Sequence, residues 1–157
     1  MKLSEIVARA HLCIGNGCVY RLGKGGMRPL AEWPWTAEKE CDCSGFSSWC
    51  VGMSRFHDGL WYDTSRIVRD ATAAGGLFSL VPWKDALPGH LVVYGDRGKS
   101  QGHVGVVSVV DEAGPLTVIH CSAGLFRRNR DAIGETGIAL FRAAGAIVVR
   151  CHSVDEG

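Results

Sequence analysis

The chain has 157 residues, of which 46% are hydrophobic and 21% are charged, and its formal net charge is +1 at pH 7. This length and composition are typical of a single globular domain, which we expect to span residues 1–157. The nearly neutral charge argues against a protein that binds polyanions over its whole surface, so we expect no nucleic-acid partner.

No apolar run approaches the length of about 18 residues that a membrane span needs, so we expect no membrane partner. Glu5 and Arg9 interrupt the N-terminal segment, which is therefore not an apolar signal-peptide core. We accordingly expect synthesis in the cytoplasm. An odd set of cysteines in such a chain predicts free thiols rather than a disulfide framework. Three of them, Cys13, Cys50 and Cys151, are expected to be small buried side chains.

The first half of the chain has helical periodicity. An amphipathic helix is predicted at the N-terminus and ends near Gly15. A second helix is predicted from about Ser44 to His57, with a buried face that repeats at the spacing of Phe46, Trp49, Cys50 and Met53. A third begins at Asp63 or Thr64 and stops at Gly75.

The second half changes to short β-branched segments that are separated by turn residues. Five strands are predicted, at residues 90–94, 103–110, 116–122, 137–142 and 146–151. Helices followed by strands predict an α+β fold in which the helices pack on an antiparallel sheet of about five strands. The basic stretch Leu125–Asp131 is predicted to be a solvated loop, with contact to an acidic peptide or a nucleic-acid phosphate as the alternative.

Cys43 is the clearest candidate for chemistry. It lies between Asp42 and Ser44 where the second helix begins, and the unpaired N–H groups of a helix N-terminus favour a thiolate. A thiolate nucleophile needs a group that accepts its proton. His103 opens one predicted strand and His120 lies in the next, so antiparallel pairing can place a base beside the group that orients it.

The same part of the sequence leaves two other uses of its thiols open. Zinc is one, because Cys41, Cys43, His103, His120 and Cys121 carry suitable donor atoms. The spacing does not favour it, since no Cys-x-x-Cys unit pairs with another. The second is oxidation, in which Cys41 or Cys121 forms a disulfide with Cys43.

Several segments, in this order, resemble the NlpC-type (NlpC and p-sixty) cell-wall cysteine peptidases, a papain-like superfamily. DCSGF at Asp42–Phe46 matches the nucleophile motif of that family, HVGVV at His103–Val107 is similar to its histidine motif, and the strand that ends at His120 resembles the segment with its third catalytic residue. VYRLGKGG and LPGHLVVY resemble its Tyr-x-x-Gly-Gly and Pro-Gly-Asp-Leu-Val segments. The resemblance runs from about Val19 to Ser122.

The resemblance implies a papain-like fold and a catalytic role for three residues. Cys43 would be the nucleophile and His103 the base, while His120 would hold the imidazole in its productive tautomer. The implied activity is a cysteine hydrolase that cleaves an amide bond in peptidoglycan stem peptides, without a metal or an organic cofactor. Because that substrate lies outside the cytoplasm, we expect a phage particle or a secretion system as the carrier.

The resemblance also implies residues on the substrate side. Tyr20 would lie near the oxyanion site, where its hydroxyl can donate to the developing negative charge. Asp42 and Ser44 would contact a substrate amine, unless they only cap the helix. Trp33 and Trp35 either wall a substrate groove or cover the core. The alternatives to a hydrolase are an acyl or amide transferase on the same scaffold and a non-catalytic binding module.

Overall fold

The computed structural model of the protein describes residues 1–155, so that residues 156 and 157 of the expected domain lie outside the described range. Within it the fold is α+β, with five α-helices and a six-stranded antiparallel sheet, which confirms the predicted class. The helices are α1 (Leu3–Leu12), α2 (Cys43–Cys50), α3 (Thr64–Thr72), α4 (Ala123–Asn129) and α5 (Ala139–Ala143). The strands are β1 (Val19–Tyr20), β2 (Glu40–Cys41), β3 (Phe56–His57), β4 (Leu60–Trp61), β5 (Phe78–Val81), β6 (Leu91–Tyr94), β7 (His103–Asp111), β8 (Gly114–Cys121), β9 (Ile133–Gly137) and β10 (Ile147–Cys151).

The main sheet has the strand order β5-β10-β6-β7-β8-β9. Successive side chains of a strand point to opposite faces, and the central strands β6, β7 and β8 contribute to two clusters. Val104 and Val106 of β7 join the main core, together with residues of α1, α2 and α3. Val107 joins a smaller cluster with Phe141 of α5 on the other face. The helix that begins at Cys43 therefore packs against the strand that begins at His103.

Most of the predicted elements are present. The N-terminal helix is confirmed as α1, and Asp63 caps α3 because its side chain accepts a hydrogen bond from the Arg66 N–H at 2.8 Å. Four of the five predicted strands correspond to β6, β7, β8 and β10. All seven cysteines are free and buried. The expected burial of Cys13, Cys50 and Cys151 is thus confirmed.

The second helix is shorter than predicted. It ends at Cys50 instead of His57, because Gly52 adopts a left-handed φ of 76° that an α-helix does not continue through. The chain then forms the hairpin β3–β4 around Asp58 and Gly59, which both have positive φ. A two-residue turn in which both residues have positive φ matches the right-handed twist of the paired strands.

The last third of the chain differs from the prediction in three ways. Residues 137–142 do not form a strand, since Ala139–Ala143 is helical and the strand precedes it as β9. Leu125–Asp131 is not a loop, because most of it lies in α4. The sheet has six strands instead of about five, with β5 at one edge and β9 at the other. Over residues 1–155, no helix is long and apolar enough to cross a membrane.

Candidate active site

The nucleophile candidate Cys43 is the first residue of α2. Asp42 precedes it with an extended backbone, and its Oδ1 accepts a hydrogen bond from the Gly45 N–H at 2.8 Å. This is the geometry of a helix N-cap, so the capping role of Asp42 is confirmed. All eight residues of α2 are buried, which means that the helix is enclosed on every side and not only along the predicted face.

Arg55 holds the start of α2 in place, and the sequence did not single it out. Its guanidinium makes a bidentate ion pair with Asp42, at 2.6 Å from Nη1 to Oδ1 and 3.1 Å from Nη2 to Oδ2. Nη2 also donates to Ser44 Oγ at 2.8 Å, and Nη1 donates to the Lys24 carbonyl at 3.1 Å. Because Arg55 is 1% exposed, this pair is fully desolvated. It fixes the residues on both sides of Cys43.

A cavity of about 250 Å³ opens at the start of α2. Four of the residues singled out from the sequence line it together, namely Tyr20, Asp42, Cys43 and Ser44. The Tyr20 hydroxyl makes no hydrogen bond with any other residue in the described range. Burial, followed by the proximity of Cys43 and Asp42, raises the pKa of Tyr20, so its proton is available for donation at neutral pH.

The two histidines of the candidate site are in direct contact. His103 Nε2 and His120 Nδ1 are 2.7 Å apart, and His120 Nε2 lies 2.8 Å from Thr136 Oγ1. The ring of Phe141 stacks on His103 with the centroids 5.2 Å apart. The predicted side-by-side placement of the histidines is confirmed. Thr136 and Phe141 are further contacts that the sequence did not reveal.

The ends of this chain of hydrogen bonds determine the tautomers. Thr136 Oγ1 donates to the Gly137 carbonyl at 3.2 Å, so it offers lone pairs to the N–H at His120 Nε2. A neutral His120 then accepts at Nδ1, and the proton between the rings belongs to His103 Nε2. His103 Nδ1 is therefore left unprotonated, as a general base requires.

Val104 is next to Cys43 in space and next to His103 in the chain. A backbone hydrogen bond from Val104 reaches the Cys43 thiol, and Val104 directly follows His103 at the start of β7. Tyr94 pairs with His103 across β6 and β7, and burial, followed by the proximity of Cys43, raises the pKa of Tyr94. Within residues 1–155, no hydrogen bond joins the sulfur to either imidazole. Catalytic contacts of this kind are often loose until a substrate is bound.

All three catalytic candidates are neutral at rest. Burial and then the Asp42 carboxylate raise the pKa of Cys43 to about 12, although backbone hydrogen bonds from Val104 and Ser44 act in the opposite direction. Burial lowers the pKa of His103 to about 4. Burial, with smaller contributions from His103 and Arg128, lowers the pKa of His120 to about 3. The expectation of an easily ionised thiol is thus wrong for the resting protein, because desolvation outweighs the helix N-terminus.

The extra thiols near the site interact with each other. Cys121 donates to the Cys41 carbonyl at 3.4 Å, and burial, followed by the proximity of the Cys18 and Cys41 side chains, raises the pKa of Cys121. These contacts do not involve Cys43. Among residues 1–155 there is no group of three or more His, Cys, Asp or Glu residues that is placed to hold a metal ion. The zinc alternative therefore finds no donor set there.

No protein-family model matches this chain, and no curated protein is significantly similar to it.

Proposed function

We propose that the protein is a cysteine hydrolase that cleaves an amide bond in the stem peptides of peptidoglycan, with a papain-like arrangement of its catalytic groups. The observation that carries the proposal is the oriented pair of His103 and His120, on strands that pack against the helix of Cys43. Support comes also from the resemblance of DCSGF and HVGVV to the NlpC-type peptidases.

The neutral resting state suits a mechanism in which the base acts during the attack. His103 Nδ1 takes the thiol proton as the Cys43 sulfur forms a bond to the substrate carbonyl carbon. The imidazolium keeps its Nε2–H bond to His120, which Thr136 orients in turn. The same proton passes to the leaving amine as the C–N bond breaks, and a thioester remains on Cys43. Water, deprotonated by His103, then hydrolyses the thioester and restores the thiol.

The negative oxygen of the tetrahedral intermediate needs hydrogen-bond donors. The backbone N–H of Cys43 is at the N-terminus of α2, and the unpaired Tyr20 hydroxyl lines the same cavity. We assign both to the oxyanion, where donors that are already in position lower the barrier most effectively.

Asp42 and Ser44 have a different role in this proposal than the resemblance implies. The Asp42 carboxylate already accepts hydrogen bonds from Arg55, Gly23 and Gly45, and Ser44 Oγ accepts one from Arg55. A carboxylate offers about four lone-pair sites, so little capacity remains for a substrate amine. We therefore assign both residues to the support of the cavity wall beside Cys43.

Digestion of purified muropeptides of known composition tests the proposal. The wild type, Cys43→Ala and the control Cys151→Ala are incubated with the same muropeptides, and the products are identified by mass spectrometry. We expect a cleaved stem peptide with the wild type and with Cys151→Ala, and none with Cys43→Ala. Cleavage by Cys43→Ala at the wild-type rate, or no cleavage of any muropeptide by the wild type, would contradict the proposal.

A further inference from the structure

Two indole rings stack in the loop between β1 and β2. The centroids of Trp33 and Trp35 are 4.7 Å apart and the planes are inclined by 12°. Both side chains are half-buried and pack against the main core, yet they also line a groove of about 340 Å³. A second depression of about 540 Å³ is lined by the same two rings. The tryptophans thus cover the core and wall a groove at the same time.

The loop that carries these rings is held in place by the surrounding structure. Gly26 N–H donates to the Pro34 carbonyl at 2.7 Å, and the indole of Trp49 donates to the Ala31 carbonyl at 2.9 Å. Arg9 donates to the Pro29 carbonyl at 2.9 Å. A groove that is formed before binding loses little entropy when a ligand enters.

The groove combines flat apolar surface with unpaired polar groups. Within the described residues, neither the Trp33 nor the Trp35 indole N–H has a hydrogen-bond partner, and the side chain of Arg28, which also lines the groove, is unpaired. Indole rings offer a large apolar face with a donor at the edge. A pyranose ring has the complementary chemistry, since its C–H groups form flat apolar faces while its hydroxyl and acetamido groups point outward. The Arg28 guanidinium and the two indole N–H groups are donors that suit hydroxyl and acetamido oxygens better than a long apolar segment.

The groove lies next to the start of α2. Gly25 and Gly26 line it, and the preceding Lys24 carbonyl accepts a hydrogen bond from the Asp42 N–H at 3.0 Å. A Cβ atom on Gly26 would lie 2.6 Å from Gly45 Cα, so the two backbones are in contact. One short segment of chain therefore separates the groove from the cavity of Cys43.

We propose that the Trp33–Trp35 groove is a glycan subsite that binds N-acetylated pyranose units, while the cavity of Cys43 holds the peptide. The proposal rests on the proposed function for its choice of ligand, because peptidoglycan joins such sugars to the stem peptide. The binding itself needs no peptide and no catalysis, so it is tested separately.

Isothermal titration calorimetry with a soluble N-acetylglucosamine tetramer tests the subsite on the full chain. We compare the wild type with Trp35→Ala and with Ala37→Arg, which places a long side chain in the groove from an exposed position. Leu30→Ala is the matched control, because Leu30 is in the same loop, is 98% exposed and does not line the groove. We expect saturable binding by the wild type and Leu30→Ala, and a dissociation constant raised about tenfold or more in the other two.

Ala37→Arg keeps the test valid if Trp35→Ala fails to fold, since residue 37 is exposed. Three results would overturn the subsite: no saturable binding of the tetramer by the wild type, unchanged binding by Ala37→Arg, or saturable binding of a proline-rich peptide in place of the sugar. Sugar binding without muropeptide cleavage would contradict only the proposed function. Cleavage without sugar binding would contradict only the subsite.

Discussion

Replacement of Arg55 by Met removes the buried cation that holds the start of α2. The Asp42 carboxylate then remains buried with only the N–H groups of Gly23 and Gly45, at 2.7 and 2.8 Å, as strong donors. Removal of one partner from a buried ion pair costs about 3–5 kcal/mol, and the Lys24 carbonyl loses one of its two donors, keeping only the Asp42 N–H. We expect Arg55→Met to lower the free energy of unfolding by that amount.

Urea denaturation at neutral pH measures this loss, and two variants make it interpretable. Arg21→Met removes a single ion-pair contact with Glu40 at 3.2 Å, and because the Arg21 side chain is 61% exposed we expect a cost below about 1 kcal/mol. In a double-mutant cycle, Asp42→Asn should offset part of the Arg55→Met loss, with a coupling of about 2 kcal/mol or more. Equal effects of Arg55→Met and Arg21→Met, or strict additivity in the cycle, would refute the reasoning.

Three other predictions concern the histidines and two glycines of the loop between β1 and β2. The folded pKa values of His103 and His120 lie below the ordinary 6.5. The free energy of unfolding is therefore at its full value above pH 6.5 and falls toward pH 4, by up to about 3 kcal/mol per histidine. His103→Asn should flatten this dependence in acid titrations of unfolding. Thr136→Val removes the hydroxyl that orients His120 and should lower kcat/KM about tenfold or more and change its pH profile. Thr136→Ser, which keeps the hydroxyl, should restore both. An unchanged pH profile in Thr136→Val would count against the tautomer assignment. Gly26→Ala should cost about 2–4 kcal/mol because its Cβ meets the backbone of α2, whereas Gly23→Ala, with a similar φ of 80° and open space, should cost about 1 kcal/mol in the same denaturation experiment.

The elements that could be predicted from the sequence are those with a local signal. A capping Asp marked the start of α3, and β-branched runs marked the central strands. The Asp58–Gly59 turn also had a local signal, since Asp-Gly is typical of tight hairpins, but the helical spacing continued to Met53 and favoured a longer helix. The pattern of residues 137–142 predicts a strand, although its Ala, Leu and Arg residues have high helix propensity.

The residues of the candidate site could be predicted from the sequence, but several of their contacts and their burial could not. Adjacent strands in an antiparallel sheet made the contact of His103 with His120 foreseeable. The partner of Asp42 was not, because Arg55 reaches it across a turn and a break in the helix that the periodicity did not reveal. The raised pKa of Cys43 was also unpredictable, since it follows from burial by distant elements and not from the local motif.

The covalent intermediate is the most direct test of the central claim. The wild type is mixed with a muropeptide, quenched in acid within the first turnover, and measured as the intact protein by mass spectrometry, with peptide mapping to locate any adduct. We predict an adduct with the mass of the acyl half of the stem peptide, attached to Cys43 alone among the seven cysteines. An adduct on another residue, or product formed by an enzyme that never carries one, would contradict the account.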